Sequence, residues 1–441
     1  MEPVEIAIIG VALLGFSLVS RRSDRWLVTM PMVFVAVGAA LSASGVVEVS
    51  AARESVGLFA EVTLAVILFS DATRISLPRL RRQLALPARL LGIGLPLTIV
   101  TGALLGRLLF SEWALAEIVL LAAVLAPTDA ALGSAVVENE AVPIRERLAL
   151  NVESGLNDGL VVPIVALCTS LVLESGRSSG YWVNFVLRQI GVGVAVGVAA
   201  GLAGIMLLRR AHAAEWSDGR YEQIATFGLP IIALCGSVAL DGNGFIAAFV
   251  AGLAFGSGGL ERRPRPTEAG ERSMDGPMEA EHFAEFTEDA AQLLGVVAFL
   301  VFGNLFVGDA VGSFGPAVIV SAIASLTIVR MLPVAIALTG TGMRLPTKLF
   351  IGWFGPRGLA SIVFGILLLE ELEERGARAD QLFGVISLTV TLSVLLHGAT
   401  ASIGAQRYGR WVADRQVGPV EAAPTPEMMP RARWSGRRGQ A

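Results

Sequence analysis

The chain has 441 residues, of which 54% are hydrophobic and only 16% are charged. A soluble chain would carry roughly 25% charged residues, so the composition excludes an ordinary soluble protein. Long apolar runs recur along the sequence, for example at 182–208 and 316–340, and each could cross about 30 Å of hydrocarbon as a helix. We therefore predict an all-α polytopic membrane protein embedded in a lipid bilayer.

The composition also argues against several function classes. The formal net charge is −4 and no basic domain is present, which argues against nucleic-acid binding. No GxxxxGK[ST] motif occurs, so ATP is not expected as an energy source. The two cysteines lie inside apolar runs, which indicates neither a disulfide framework nor a zinc cluster. We expect no cofactor, and a protein that is not an enzyme.

In chain order, the apolar runs predict about thirteen transmembrane helices. They lie at about 4–20, 26–44, 56–71, 86–110, 114–137, 147–173, 182–208, 221–240, 243–258, 289–307, 314–339, 349–369 and 381–403. Together they form a predicted transmembrane domain over residues 1–405.

The loops between the spans differ in charge. Arginine and lysine concentrate in alternate loops, whereas the loop at 370–380 is mostly acidic. Because positive charges favour cytoplasmic loops, we predict the cell (inner or plasma) membrane as the location, with an outer N-terminus and a cytoplasmic C-terminus. Residues 259–288, rich in Pro, Gly, Glu and Arg, predict a cytoplasmic linker that ends in a short amphipathic helix around 282–286. Residues 406–441 predict a short disordered tail.

Span five carries a carboxylate next to a predicted helix break. In the segment LAAVLAPTDAALG, Asp129 follows Pro127 and Thr128. Proline has no backbone N–H and frees carbonyl groups of the preceding turn, so the helix should unwind there. A carboxylate beside free carbonyl oxygens suits a small, hard cation.

Span six contains four polar residues within six positions, in ALNVESGLNDGLVVP. At 100° per residue, Ser154 and Asp158 share one helical stripe, and Glu153 and Asn157 share the neighbouring one. A charged side chain inside a span costs about 2.5–3.5 kcal/mol on insertion scales. The cluster therefore indicates a functional site, in which the first stripe presents a hydroxyl and a carboxylate to an ion.

Two arginines lie within spans of the second half. Arg330 is in the middle of span eleven, and Arg357 is inside a Gly-Pro-Arg-Gly break of span twelve. A buried charge needs a partner, and we predict that Arg330 pairs with Glu153, which leaves Asp158 free to exchange ligands. The breaks in spans five and twelve take corresponding positions, which predicts two inverted-topology repeats whose broken helices cross at the binding site.

Together these motifs resemble the NhaP-type monovalent cation–proton antiporters, relatives of the eukaryotic sodium–proton exchangers. The resemblance rests on PTDAALG, NVESGLNDG, the mid-span Arg330 and GWFGPRGLAS. It implies electroneutral exchange of one cation, Na⁺ in the first instance, for one proton by alternating access, with a role in pH homeostasis.

The resemblance also implies an architecture. The family forms homodimers in which a core domain moves against a dimerisation or scaffold domain. Here the core spans would be at about 86–173 and 314–403, and the scaffold spans at about 4–71 and 182–307.

Carried over to this sequence, the resemblance implies a set of ligands. Asp158 would bind the cation or the proton in competition, and Thr128 and Ser154 would supply further oxygens to Na⁺ (or K⁺ or Li⁺). Asp71, near the end of span three, corresponds to a further acidic residue of the family. A surface ion pair of Asp71 with Arg74 is an equal alternative.

The resemblance implies structural roles for the remaining polar residues. Asn157 would bridge to Asp129 and stabilise the crossing of the broken helices. Glu153 and Arg330 would form a structural ion pair, and Arg357 would neutralise the helix break.

Several alternatives stay open at this point. A K⁺/H⁺ antiporter would use the same mechanism, and a cation channel could be lined by Asp129 and Asp158. An intramembrane hydrolase could use the same two carboxylates as a dyad, but Asn157 stands beside Asp158 and neither carboxylate follows a glycine. His397, in the middle of span thirteen, predicts an interhelical hydrogen bond, with a proton relay as the alternative.

Overall fold

The structure is a computed structural model that describes residues 7, 10–18, 27–44, 53–75, 85–129, 132–174, 178–258, 280–307, 314–372 and 377–414. Its regular secondary structure is helical, and the described residues contain no strand. The helices are α1 (residues 10–18), α2 (Met30–Ser44), α3 (Arg53–Thr73), α4 (Ala85–Leu109, with a π-helical turn at Leu90–Gly94), α5 (Leu115–Val124), α6 (Ser134–Val137), α7 (Ile144–Leu173), α8 (Ser179–Ala213), α9 (Gly219–Val238), α10 (Gly244–Gly258), α11 (Ala280–Phe302, continued by a π-helical turn at Gly303–Val307), α12 (Pro316–Leu326 and Ile328–Ala337), α13 (Leu345–Trp353), α14 (Leu359–Leu372) and α15 (Ala377–Asp414).

Many of these helices have the length and composition of membrane spans. Among the described residues, eight are long and apolar enough to cross a bilayer, namely α3, α4, α7, α8, α9, α11, α12 and α15. Four shorter apolar helices are α2, α5, α10 and α14. The predicted all-α class with several membrane-spanning helices is confirmed.

The chain folds into two compact units. The first comprises residues 1–61, 85–175 and 294–441, and the second comprises residues 62–84 and 176–293. The candidate residues of spans five, six, eleven and twelve all belong to the first unit, whereas Asp71 belongs to the second.

An apolar core in the first unit supports the helices that carry these candidates. It is built from side chains of α4, α7, α12, α13 and α15. Within it the ring of Phe350 stacks on that of Tyr408, with centroids 4.1 Å apart, and the Tyr408 hydroxyl donates to Thr347 Oγ1 at 3.0 Å. Helix α7 runs unbroken through 30 residues, so the polar stripe of NVESGLND lies on a continuous support.

The second unit is held together by close helix packing. Three glycines of α8, spaced four residues apart, face the backbone of α10 and of the residue before it, where an added Cβ would overlap carbonyl oxygens. They are Gly193, Gly197 and Gly201. Small residues at such spacing let two helices approach closely inside a membrane. An apolar cluster around Phe69, Phe255 and Phe283 completes this unit.

Two segments predicted to be irregular are partly helical. The tail predicted from residue 406 was placed too early, because α15 continues to Asp414. Tyr408 is only 6% exposed, and its ring and that of Trp411 have centroids 5.8 Å apart. The partner Phe350 is distant in sequence, so the polar sequence QRYGRWVAD gave no sign of this packing. Residues 415–441 lie outside the described residues.

Helix α11 begins at Ala280, inside the predicted linker at 259–288, and includes the short amphipathic helix expected around 282–286. Phe283 is fully buried in the apolar cluster of the second unit. Residues 259–279 lie outside the described residues.

Candidate functional site

Helix α5 ends at Val124, and the described residues that follow it, 125–129, are non-helical. Side chains from the break between α13 and α14, and from the start of α14, donate to carbonyl groups at and after this helix end. The Arg357 guanidinium donates to the carbonyl of Ala126, and also to that of Pro127 at 3.2 Å. The hydroxyl of Ser361 donates to the carbonyl of Val124 at 2.7 Å.

The interruption between α13 and α14, which we call the second break, forms hydrogen bonds with Asp129 of the first. Helix α13 ends at Trp353 and α14 begins at Leu359, so the residues between them are non-helical. The Asp129 carboxylate accepts a hydrogen bond from the backbone N–H of Leu359 at 2.9 Å. The backbone N–H of Asp129 donates to the Pro356 carbonyl at 2.8 Å. A carboxylate is stabilised at a helix N-terminus, and the two non-helical segments satisfy each other's backbone groups.

Helix α7 binds the first break through two polar side chains. The Ser154 hydroxyl donates to the carbonyl of Thr128 at 2.5 Å, and the Asn157 amide donates to the Thr128 hydroxyl at 2.7 Å. All three residues are at most 6% exposed. The Asn157 amide therefore contacts Thr128, the residue before Asp129, whereas the family resemblance implies a bridge from Asn157 to Asp129 itself. The hydroxyl oxygens of Thr128 and Ser154 keep lone pairs that could bind a cation.

Asp158 lies on the same stripe of α7 as Ser154, one turn further along. It is 7% exposed, and its Oδ1 is buried without a hydrogen-bond partner among the described residues. Asp129 is the carboxylate that acts on it electrostatically. A buried carboxylate oxygen without a partner is costly unless it holds a proton or a cation. Asp158 is therefore the group in this cluster best suited to exchange ligands.

The second stripe of α7 holds an ion pair with α12. Arg330 donates from Nη1 to Oε1 of Glu153 at 2.6 Å and from Nη2 to Oε2 at 2.8 Å. Both side chains are at most 3% exposed, and this two-pronged geometry is the strong form of an arginine–carboxylate pair. The contact between these two residues predicted from the sequence is therefore present. Gly355 lies against this guanidinium, where a Cβ would overlap it.

Comparison of the sequence with known families gives a match over residues 8–406 to the family described as "Sodium/hydrogen exchanger, transmembrane". The match covers most of the chain. The chain belongs to the sodium/hydrogen exchanger family. The resemblance stated from its motifs is thereby confirmed, and the family is one of transporters rather than enzymes.

Individual relatives of this exchanger-family chain carry antiporter names. It is 27% identical over 380 residues to the K(+)/H(+) antiporter NhaP of Alkalimonas amylolytica, covering 83% of this chain and 61% of that protein. It is 26% identical over 391 residues to the Na(+)/H(+) antiporter ApNhaP of Aphanothece halophytica, covering 86% of this chain and 69% of that protein. The chain therefore spans less than two thirds of the Alkalimonas protein.

A solved structure has a similar fold. The sodium proton antiporter MjNhaP1 from Methanocaldococcus jannaschii at pH 8 superposes with a TM-score of 0.72 and 18% sequence identity. The match covers 92% of this chain and 98% of that one. At this identity the similarity is one of fold, and it supports an exchanger-type arrangement of helices.

Among the predicted site residues, Asp71 is the one that lies in the second unit. It is 5% exposed on α3. Its neighbour Arg74 forms an ion pair with Glu288 of α11. A part for Asp71 in ion binding stays a prediction.

Sequence reasoning missed two serines that contact the break between α13 and α14 or the helix end it binds. Ser361 donates to α5, as described above, and Ser393 of α15 accepts the backbone N–H of Arg357 at 2.7 Å. Both are fully buried. A serine in an apolar helix commonly bonds to a carbonyl of its own helix, so the presence of a serine does not by itself predict a contact with another segment. Its proximity in sequence to the Gly-Pro-Arg-Gly break was the available sign for Ser361.

We expect that Gly358→Ala destabilises the contact between the two non-helical segments. A Cβ at this position would overlap the Asp129 carboxylate, with 2.8 Å to its Cγ. Inserting a methyl group into a packed site costs about 1–3 kcal/mol, so the midpoint of thermal unfolding of purified protein should fall. Gly191→Ala on α8 is the control, because nothing lies within 4 Å of its Cβ position. Equal midpoints for the two variants would contradict this account of the contact.

Proposed function

We propose that this chain is a secondary antiporter that exchanges a monovalent cation for a proton across the membrane. The observation that carries the proposal is the buried Asp158 oxygen that has no partner among the described residues. It lies on the α7 stripe that also binds the unwound segment at Thr128. A proton and a dehydrated cation both satisfy a carboxylate oxygen in such a place. Competition between them for one group couples the two flows.

The charges of the cluster support an electroneutral 1:1 exchange. The carboxylates are Asp129, Glu153 and Asp158, and the guanidiniums are Arg330 and Arg357, and all five residues are buried. With every group ionised the cluster has one negative charge in excess. Either one proton or one monovalent cation at Asp158 brings it to zero. Each crossing of the membrane then carries no net charge, whichever ligand is bound.

We propose Na⁺ as the transported ion, bound by Asp158 with oxygens of Ser154 and Thr128, and K⁺ as the alternative. The named relatives include antiporters of both ions, which supports the monovalent class. In this proposal, structural roles belong to Asn157, Glu153, Arg330 and Arg357. The secondary candidates for the ion path are Asp129 and Asp71.

The proposed architecture has thirteen spans in two inverted repeats, with an outer N-terminus and a cytoplasmic C-terminus in the plasma membrane. The pair of interrupted helices, α5 with α6 and α13 with α14, supports the repeats. We further propose a homodimer that works by alternating access of a core built from the spans at about 86–173 and 314–403. These features follow the family resemblance and the distribution of positive charges.

The test is dissipation of a pH gradient in everted membrane vesicles on addition of Na⁺, K⁺ or Li⁺. We expect cation-triggered dissipation, and the ranking of the ions identifies the substrate. The same vesicles are measured with the membrane potential clamped and unclamped, and an electroneutral exchanger should respond equally. Cation flux without proton movement would contradict antiport and would favour a channel.

A further inference from the structure

Two polar side chains of α15 contact the second helix break from outside the ion site. Ser393 and His397 are four residues apart and lie on one face of the helix. Ser393 is fully buried and His397 is 1% exposed. The Ser393 hydroxyl accepts the backbone N–H of Arg357 at 2.7 Å. Nδ1 of His397 lies 3.2 Å from that hydroxyl and 3.1 Å from the Ser393 carbonyl.

The hydrogen bonds of this group form a chain. The Arg357 N–H belongs to a non-helical segment, so Ser393 supplies the partner that a helix would otherwise provide. After accepting this bond, the Ser393 hydroxyl still has its proton to donate, and Nδ1 of His397 is within reach. If Nδ1 carries the proton instead, it donates to the Ser393 carbonyl. In the first tautomer the bonds run from His397 through the Ser393 hydroxyl to the Arg357 N–H, and bonds in such a chain strengthen one another. The proposal uses this tautomer.

This series of hydrogen bonds ends where the two interrupted helices meet. The Arg357 backbone is held by Ser393, while its guanidinium donates to the carbonyls of Ala126 and Pro127. The preceding residue, Pro356, accepts the backbone N–H of Asp129. A shift of the Arg357 peptide would therefore move the donors and acceptors that align the two breaks.

We propose that Ser393 and His397 are positioning residues for transport, which act through the Arg357 backbone to hold the second helix break in register with the first. This inference rests on the proposed function. The contacts of His397 are with Ser393 and Trp353, which are not among the proposed ion ligands. It tunes how fast the crossing rearranges and leaves the ion ligands in place.

A packing role for His397 is the competing explanation. Its ring lies 4.8 Å from the indole of Trp353, measured between centroids, at an angle of 31°. Trp353 is separately tied to α15, because its indole N–H donates to Thr400 Oγ1 at 3.1 Å. If the imidazole only fills space beside Trp353, an apolar side chain of similar size would replace it.

Two substitutions at position 397 distinguish the explanations. His397→Asn places an amide close to the position of Nδ1 but gives up the ring, whereas His397→Leu fills the space without a polar atom. Loss of one neutral hydrogen bond corresponds to about a five-fold effect. We therefore expect His397→Leu to lower the maximal rate of cation–proton exchange about five-fold, with the apparent KM for the cation changed by less than about two-fold. His397→Asn should restore most of the rate. The opposite order, with Leu active and Asn impaired, would overturn the proposal.

A double-substitution cycle tests whether the two residues act as one unit. In a Ser393→Ala background, His397→Leu should have no further effect on the rate, since its only proposed route is already removed. Independent losses that multiply would overturn the proposal. The control is Thr389→Val, one turn away on the same face, because this fully buried hydroxyl has no hydrogen-bond partner among the described residues. If the wild type itself shows no exchange, the proposed function fails; if it exchanges and His397→Leu equals it, only the positioning role fails.

Discussion

Replacement of Asp158 by asparagine should abolish cation–proton exchange and leave the fold intact. The amide has the shape of the carboxyl group, but it can neither release a proton nor neutralise a bound cation. The charge of the cluster is then fixed, so competition between the two ligands is lost. We expect the rate to fall to background, at least about 100-fold, which corresponds to about 2.7 kcal/mol.

The measurement is cation-triggered dissipation of the pH gradient, with thermal unfolding of the purified variant as the test of folding. Asp241→Asn provides a matched control in the second unit. Asp241 pairs with Arg188 at 2.5 Å, and its side chain is 73% exposed, so its exchange rate should equal that of the wild type. Exchange that persists in a folded Asp158→Asn variant would mean that another carboxylate holds the transported ligand.

The membrane class could be predicted because its cause is local: hydropathy over about twenty residues identifies a span. The non-helical stretch after α5 contains Pro127, whose missing N–H is a local signal against a helix. That Glu153 and Arg330 each need an opposite charge follows from a simple rule. The rule does not by itself choose between the buried carboxylates and arginines, because that choice depends on which helices are neighbours.

Contacts made by neutral groups between distant segments could not be predicted. The bond from the Leu359 N–H to Asp129 joins positions 230 residues apart, and any of the chain's backbone donors could have filled that place. The glycine at 358 is explained only by the carboxylate that lies against it. Likewise, the last turns of α15 are supported by stacking of the Tyr408 ring on the Phe350 ring. Hydropathy identifies a segment as polar. It does not show that a few aromatic side chains within the segment will pack against a distant helix.

Replacing either residue of the Glu153–Arg330 ion pair alone should strongly destabilise the protein. Arg330→Met leaves the Glu153 carboxylate buried, and Glu153→Gln leaves the Arg330 guanidinium buried, each without its opposite charge. Removal of one partner of a buried pair costs about 3–5 kcal/mol. We expect both single variants to unfold at clearly lower temperature than the wild type. Arg188→Met is the control, and its midpoint should change little because the Arg188–Asp241 pair is exposed.

The double variant Glu153→Gln, Arg330→Met separates charge compensation from every other role of the pair. It removes one negative and one positive charge, so no uncompensated charge remains at that position and much of the lost stability should return. It also leaves the cluster with the same single excess negative charge, which belongs to Asp158 in the proposed mechanism. Exchange should therefore be faster in the double variant than in either single one. A double variant as unstable and as slow as the single ones would show that the geometry of this ion pair, and not its neutrality alone, holds α7 against α12.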